Sequence, residues 1–216
     1  MSDVPKVLEE IKQCIIDGDD TGAKAATEKA LAESLAPVDI LNVGIMPGIE
    51  TTGKLWTDGQ YFMPDVILSA EAFKAAMSEI ESLLKEGDAP KVGRIALGVV
   101  AGDMHDLGIG IVAAMLRGAG FEVIELGIDV PTDTFLAQAR EGNVDIIGMG
   151  AYMSTTMLEM KEVIEKLKAD NLKDKVKVLV GGVPLTQEYA DEIGADAWGK
   201  DAVDAVLKAK QLREVN

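Results

Sequence analysis

The stretch Ile95-Ala-Leu-Gly-Val-Val100-Ala-Gly-Asp103-Met104-His105-Asp106-Leu107-Gly108-Ile-Gly110-Ile-Val-Ala-Ala-Met-Leu116 changes character twice. Residues 95–100 are a compact apolar run of the kind that forms a buried strand. Residues 101–107 mix small, charged and imidazole side chains, which suits a loop. From Gly108 the apolar residues recur at helical spacing as far as 118. Strand, polar loop and helix in that order open a βαβ unit. The alternation continues downstream, with apolar runs at 121–126, 145–150 and 176–180 and a weaker one at 195–198. Helical patterns follow them at 132–140, 155–169, 185–193 and 202–213. Strands separated by helices pair in parallel with right-handed crossovers. The fold class predicted for 92–216 is therefore α/β, a flavodoxin-like (Rossmann-type), doubly wound, five-stranded parallel sheet. Ligands of such sheets bind beyond the carboxyl ends of the strands, where the loop 101–107 must lie.

Upstream of this pattern the apolar spacing is helical throughout, and the breaks are Gly, Pro and Asp. Four helices are expected over 1–88: one over 4–16, one from Asp19-Asp20 to about 35, one opened by Pro37, and one opened by Pro64. Pro47-Gly48 is expected to disturb the third, leaving 53–63 loop-like. The polar break at 87–91 marks the boundary between this four-helix bundle and the sheet domain.

Composition narrows the function classes. The 216 residues carry 21 Lys plus Arg against 37 Asp plus Glu, a net charge of −16. That sign repels phosphate backbones and anionic lipid, so nucleic acid and membrane are excluded as partners. No uncharged run approaches the ~20 apolar residues of a membrane span, and the N-terminus carries no apolar signal region, so the expected location is cytoplasmic. Cys14 is the sole cysteine and His105 the sole histidine, which excludes a disulfide framework and a zinc cluster.

The chemistry concentrates in the loop. A lone histidine is by itself more often a surface or core residue than a ligand. Here Asp103 stands two residues earlier, where its carboxylate can accept the proton of one ring nitrogen, fix the tautomer and leave the other nitrogen free. One histidine cannot hold a bare metal ion. It can supply one axial bond to a metal already held by a macrocycle, and Gly108 and Gly110 leave room for a flat ligand near the backbone. A competing reading takes Gly108-x-Gly110-x-x-Ala113 as a dinucleotide fingerprint of an oxidoreductase, with Glu125 or Asp129 on the ribose. Against it, seven residues separate Gly108 from the strand, whereas that fingerprint follows its strand almost directly.

The motif Asp103-x-His105-x-x-Gly108 resembles the signature of cobalamin-binding domains, in which a protein histidine replaces the nucleotide base below cobalt. Three further elements resemble the same family. Gly181-Gly182 follows the fourth strand, and Gly150-Ala-Tyr152-Met-Ser154-Thr-Thr156 follows the third. Gly53-Lys-Leu-Trp56-Thr-Asp-Gly59-Gln-Tyr-Phe62-Met63-Pro64 is similar to the loop before the last helix of the family's helical cap. The resemblance spans nearly the whole chain, which in size and layout looks like the free-standing corrinoid proteins of anaerobic methyltransferase systems and like the cobalamin-binding fragment of methionine synthase.

The resemblance implies cobalamin or a related corrinoid as cofactor, with His105 as the cobalt ligand and Asp103 as its hydrogen-bonded partner. Thr156 would extend the relay, with Ser154 competing for that place. Met104, Asp106, Leu107 and Gly108 would surround the ligand, Gly181 and Gly182 would line the path of the displaced nucleotide tail, and Trp56 and Met63 would cap the upper face. The family's Ser-x-Leu after the third strand is here Gly150-Ala-Tyr152, so the tail pocket is altered. The function implied is a methyl carrier without a substrate site of its own, serving a substrate-specific methyltransferase, an acceptor methyltransferase using a thiol or tetrahydrofolate, and a reductive activator. The implied donors are a methylamine, a betaine, methanol or an aryl methyl ether.

Overall fold

The computed structural model describes residues 5–84 and 92–214. The expected break at 87–91 lies outside the described residues. Contacts divide the chain into two compact units, the first holding the N-terminal helices with Arg117–Gly120, the second holding Val92–Leu116 and the chain from Phe121 onward.

In the helical unit, α1 (Lys6–Asp17) buries Val7, Leu8, Ile11 and Ile15 along one stripe and ends where Gly18 turns left-handed at φ 72°. α2 (Asp20–Ala32) starts behind Asp19, whose carboxylate accepts the Gly22 amide hydrogen at 2.8 Å. α5 (Met63–Ile80) opens on Pro64, and Asp65 accepts a bond from the Phe62 amide at 2.8 Å. The Tyr61 hydroxyl and Ser69 Oγ both donate to the Ile16 carbonyl, at 2.9 and 3.1 Å, tying the end of α1 to α5.

The third helix departs from expectation. α3 (Pro37–Asp39) runs through a π-helical segment, Ile40–Ile45, straight into α4 (Met46–Thr57), so 53–57 is helix and the loop shrinks to 58–62. Pro47 falls at the start of the regular α4 segment, where a proline is tolerated, and the wider turn before it absorbs the misfit. Gly44 and Gly48 are packing residues. A Cβ on Gly44 would stand 3.3 Å from the Leu8 carbonyl oxygen, and one on Gly48 only 2.9 Å from Ile15 side-chain carbons. What reads as helix-breaking punctuation is the surface that lets α1 approach.

The second unit is one parallel sheet in the order β2-β1-β3-β4-β5. Its elements are β1 (Gly93–Val100), α6 (Leu107–Gly118), β2 (Phe121–Val130), α7 (Thr132–Glu141), β3 (Ile146–Gly150), α8 (Leu158–Ala169), β4 (Lys177–Gly181), α9 (Gln187–Ile193), β5 (Ala197–Gly199) and α10 (Ala202–Glu214). Strand alternation explains the two faces. Ala96, Val100, Ile147, Met149, Val178 and Val180 join Phe135, Val163, Leu167 and Ile193 in one core, and the intervening residues point to the other side. Strand β2 is longer than predicted. Register shifts opposite Gly98 carry it past Gly127 (φ 88°) and Asp129 (φ 51°). Helix α8 starts at Leu158 rather than 155, because 153–157 is a run of tight turns.

The two ends of the sheet differ. At the amino edge Asp145 accepts from the Arg94 amide and pairs with Arg213, both at 2.7 Å, which closes that end. At the carboxyl edge, Gly150, Gly181 and Gly199 end three adjacent strands in matched register. Those three strand ends carry no side chains of their own.

Candidate functional site

The loop after β1 is clamped before it reaches the histidine. Gly102, in a left-handed conformation at φ 78°, donates its amide hydrogen to Asp129 Oδ1 at 2.6 Å. The Asp129 amide donates back to the Asp103 carbonyl at 3.0 Å. These contacts with the end of β2 turn Asp103 inward, where it is fully buried.

Both oxygens of that carboxylate are occupied. Oδ1 accepts from the His105 amide at 3.2 Å and from His105 Nδ1 at 2.6 Å. Oδ2 accepts from Thr156 Oγ1 at 2.6 Å and from the Tyr152 amide at 2.7 Å. Burial alone would push the Asp103 carboxyl up, but the bonds from Thr156, Tyr152 and His105 outweigh it and hold the group well below the usual carboxylate range. An ionised Oδ1 can only accept, so Nδ1 is the ring nitrogen that donates to it and Nε2 is the one left outward. The His105 side chain is 56 % exposed, and no described residue hydrogen-bonds Nε2. The site thus presents one oriented ring nitrogen at the surface.

Thr156, and not Ser154, reaches the carboxylate; Ser154 is exposed. The turn at 153–157 explains the choice, since Thr156 N donates to the Met153 carbonyl at 3.2 Å and carries its hydroxyl under Asp103. Met104 and Leu107 are 65 % and 53 % exposed beside His105, and Asp106 is exposed. Gly108, in the first turn of α6, is covered by the Tyr152 ring. Gly182 has φ 130°, and a Cβ there would overlap the Ala151 carbonyl oxygen. Gly199 belongs to the same glycine edge as Gly150 and Gly181. Sequence reading passed over it, because a glycine ending a weak three-residue strand carries no local signal. Trp56 is half-buried on the last turn of α4 and Met63 is 49 % exposed at the start of α5, both in the helical unit. The dinucleotide reading loses its ribose carboxylate at Asp129, which is bound to Gly102, and its first glycine, which underlies Tyr152. Among the described residues no helix is long and apolar enough to cross a membrane, and no group of three His, Cys, Asp or Glu could hold a metal ion.

Residues 93–207 match the B12 binding domain family, and residues 7–81 match a second family of the same description. The chain belongs to the B12-binding proteins. Among its relatives is a corrinoid protein from Desulfitobacterium hafniense, 45% identical over 97% of this chain and 98% of that one. The dimethylamine corrinoid protein of Methanosarcina barkeri is 43% identical over 96% and 97%. The trimethylamine corrinoid protein of the same organism is 37% identical over the full length of both. Among solved structures, the methanol:cobalamin methyltransferase complex of M. barkeri superimposes with a TM-score of 0.81 at 27% identity, covering 98% of this chain and 81% of that one. A cobalamin-binding protein from D. hafniense gives 0.69 at 30% identity, over 95% and 98%.

This B12-binding protein takes cobalamin or a related corrinoid, and its residues fit such a group. A macrocycle-bound metal would need one further donor from the protein, and a single oriented imidazole such as that of His105 is of the kind that could serve. Metal ligation needs a neutral histidine with its second nitrogen engaged, as Asp103 provides. At the carboxyl edge Gly181 stays uncovered by side chains, since a Cβ there would meet only the Gly199 carbonyl oxygen, at 3.2 Å.

Proposed function

We propose that the chain is a methyl carrier loaded by a substrate-specific methyltransferase and unloaded by a second one onto a thiol or tetrahydrofolate, with a reductive activator as third partner. The donor is a methylated amine. The dimethylamine and trimethylamine corrinoid proteins among its full-length relatives support that class over methanol or aryl methyl ethers. The methanol methyltransferase complex among its structural relatives supports a methyltransferase as direct partner.

The bound corrinoid supplies a cobalt centre able to accept and release a methyl group. The chain's own part is to hold and release the axial nitrogen. In this reading His105 Nε2 is the ligand, and Asp103 keeps Nδ1 protonated. Whatever Nε2 binds, Asp103 Oδ1 would hold Nδ1 at 2.6 Å and keep the ring oriented. Thr156 donates to the far oxygen and keeps the carboxylate charged throughout.

The observation that carries this reading is the buried, fully bonded Asp103 behind an exposed His105. Its test is reconstitution with hydroxocobalamin, followed by methyl transfer from dimethylamine, trimethylamine, glycine betaine and methanol, each with the methyltransferases encoded beside this chain. A histidine-ligated absorbance spectrum and turnover with an amine are expected. A spectrum lacking the axial nitrogen, or turnover with methanol alone, would overturn it.

A further inference from the structure

Asp129 is bonded twice to the loop that carries the histidine. Its Oδ1 accepts the Gly102 amide hydrogen at 2.6 Å, and its own amide donates to the Asp103 carbonyl at 3.0 Å. The Asp103 amide donates to the Val100 carbonyl at 3.2 Å, closing a turn whose third residue is Gly102 at φ 78°, the place type II turns give to glycine. Packing leaves this turn room to move, since a Cβ on Gly102 would meet only Thr156 Cγ2, at 3.7 Å. Hydrogen bonds hold it, and two of them come from Asp129.

Strand β2 is distorted to deliver that residue. Leu97 of β1 pairs with Glu125 and Val100 with Val130, so β2 carries two more residues than β1 over that stretch. Gly127 and Asp129 take up the excess at φ 88° and 51°. Glycine adopts such a conformation freely, and aspartate less readily. Asp129 is exposed, so burial does not explain why a side chain stands at this bend. What that side chain contributes is an acceptor for Gly102. The effect passes to the imidazole through Asp103. The bond from His105 Nδ1 to Asp103 Oδ1 is 2.6 Å long, and a bond that short tolerates little displacement of the carboxylate.

We propose that Asp129 is a positioning residue for the imidazole of His105: through Gly102 and the Asp103 carbonyl it holds the Asp103 carboxylate where Nδ1 reaches it, and so keeps Nε2 turned outward. The consequence for cobalt rests on the reading of His105 as axial ligand. The effect on the Asp103–His105 bond does not.

The experiment uses the full chain and its Asp129→Asn and Asp129→Gly variants. Asparagine keeps an acceptor for Gly102 and tolerates the positive φ, whereas glycine relaxes the backbone and removes the acceptor. His105 is the sole histidine, so isotope-labelled histidine reports one imidazole by nuclear magnetic resonance. In alkaline buffer, where the imidazole is neutral, the shifts of the two ring nitrogens give the ratio of Nδ1–H to Nε2–H forms. That ratio should fall at least about threefold in Asp129→Gly, the scale of one hydrogen bond on an equilibrium. In Asp129→Asn it should stay within about twofold of the parent, the error of independent sites. An unmoved ratio in Asp129→Gly, or equal losses in the two variants, would overturn the proposal. Gly48→Ala in the helical unit separates positioning from stability. It should leave the ratio unchanged, and a fall there as large as in Asp129→Gly would also overturn the proposal. On reconstitution, Asp129→Gly should bind hydroxocobalamin at least about threefold more weakly than the parent, on the same hydrogen-bond scale. Should the tautomer ratio respond as expected while the parent shows no histidine-ligated spectrum, the axial assignment fails and the positioning of the imidazole stands.

Discussion

Thr156 donates a 2.6 Å hydrogen bond to the buried carboxylate of Asp103, 53 residues earlier in the chain. The bond crosses from the loop after β1 to the turns after β3, two strands that are neighbours in the sheet. With the Tyr152 amide on the same oxygen, it makes the β3 loop responsible for the charge state of a group belonging to the β1 loop. The histidine at the surface is therefore oriented in part by Thr156, which bonds only its partner carboxylate.

Removing that hydroxyl should cost stability and shift its pH dependence. In Thr156→Val the loss of a hydrogen bond to a buried charge is worth about 1.5–3 kcal/mol. The folded-state value of Asp103 lies below its unfolded value of about 3.9, so the native state binds fewer protons and the contribution is complete at neutral pH. It is lost as pH falls from below about 4 through the folded value. In the variant the folded value is raised toward the unfolded one. Its deficit against the parent should be full at pH 7 and should close once pH passes below the variant's own value. Urea midpoints between pH 7 and pH 2 check this, and equal midpoints at pH 7 would mean that the hydroxyl contributes nothing.

Gly182→Ala should be severely destabilising. Its φ of 130° is one that side chains rarely adopt, and the added Cβ would run into the Ala151 carbonyl, whose amide is bonded to Gly181 at 3.1 Å. Neither strand can yield without losing the β3–β4 ladder. A loss of more than about 3 kcal/mol, or failure to accumulate folded protein, is expected. Gly181→Ala meets only the Gly199 carbonyl, at 3.2 Å, and should cost less. Thermal midpoints of the two variants rank them.

The sheet domain was legible because parallel strands are buried on both faces and leave compact apolar runs, such as 145–150 and 176–180. The site was half legible. Asp103 and His105 declare themselves by spacing within one loop, and Thr156 came only through a family pattern, because nothing local says that a hydroxyl after β3 will face a carboxylate after β1. Two features escaped for the same reason. The role of Gly199 exists only across strand pairing, and that of Asp129 only in the contact between β2 and the β1 loop. In the helical part, Pro47-Gly48 misled because proline and glycine signal a break locally, whereas here a π-helical segment and the approach of α1 use them without one.

The same packing makes Gly48→Ala a probe of the helical unit. The new methyl would stand 2.9 Å from Ile15 carbons and 3.2 Å from the Lys12 carbonyl, inside a buried seam. Overpacking of this kind costs about 1–3 kcal/mol even though alanine is the better helix former. Gly59→Ala meets nothing within 4 Å but has φ 70°, so it should cost no more than about 2 kcal/mol of backbone strain. Chemical denaturation of the two variants separates steric from conformational glycine. A Gly48→Ala chain as stable as the parent would show that α1 does not pack as tightly as described.

His105→Ala and Asp103→Asn should both disturb axial ligation, by different routes. The alanine removes the donor, so bound corrinoid should show a spectrum with no histidine on cobalt, while contacts to the corrin persist and affinity falls without vanishing. Asparagine keeps the shape of Asp103 but adds donors. If its oxygen faces Nδ1, its NH2 group meets the Tyr152 amide, donor against donor. If it flips, the NH2 group donates to Nδ1, and the imidazole proton moves to Nε2, where it blocks ligation. Either orientation penalises the ligating tautomer, and loss of such a supporting partner typically weakens metal binding by about 10–100-fold. A mixture of ligated and unligated spectra is therefore expected in Asp103→Asn. The double variant decides whether Asp103 acts through the imidazole alone: added to His105→Ala, the asparagine should change corrinoid affinity by less than about twofold, within the additivity error of independent sites. A further large loss in the double variant would mean that the carboxylate holds the corrinoid by some other route, and a fully histidine-ligated spectrum in either single variant would remove His105 as the ligand.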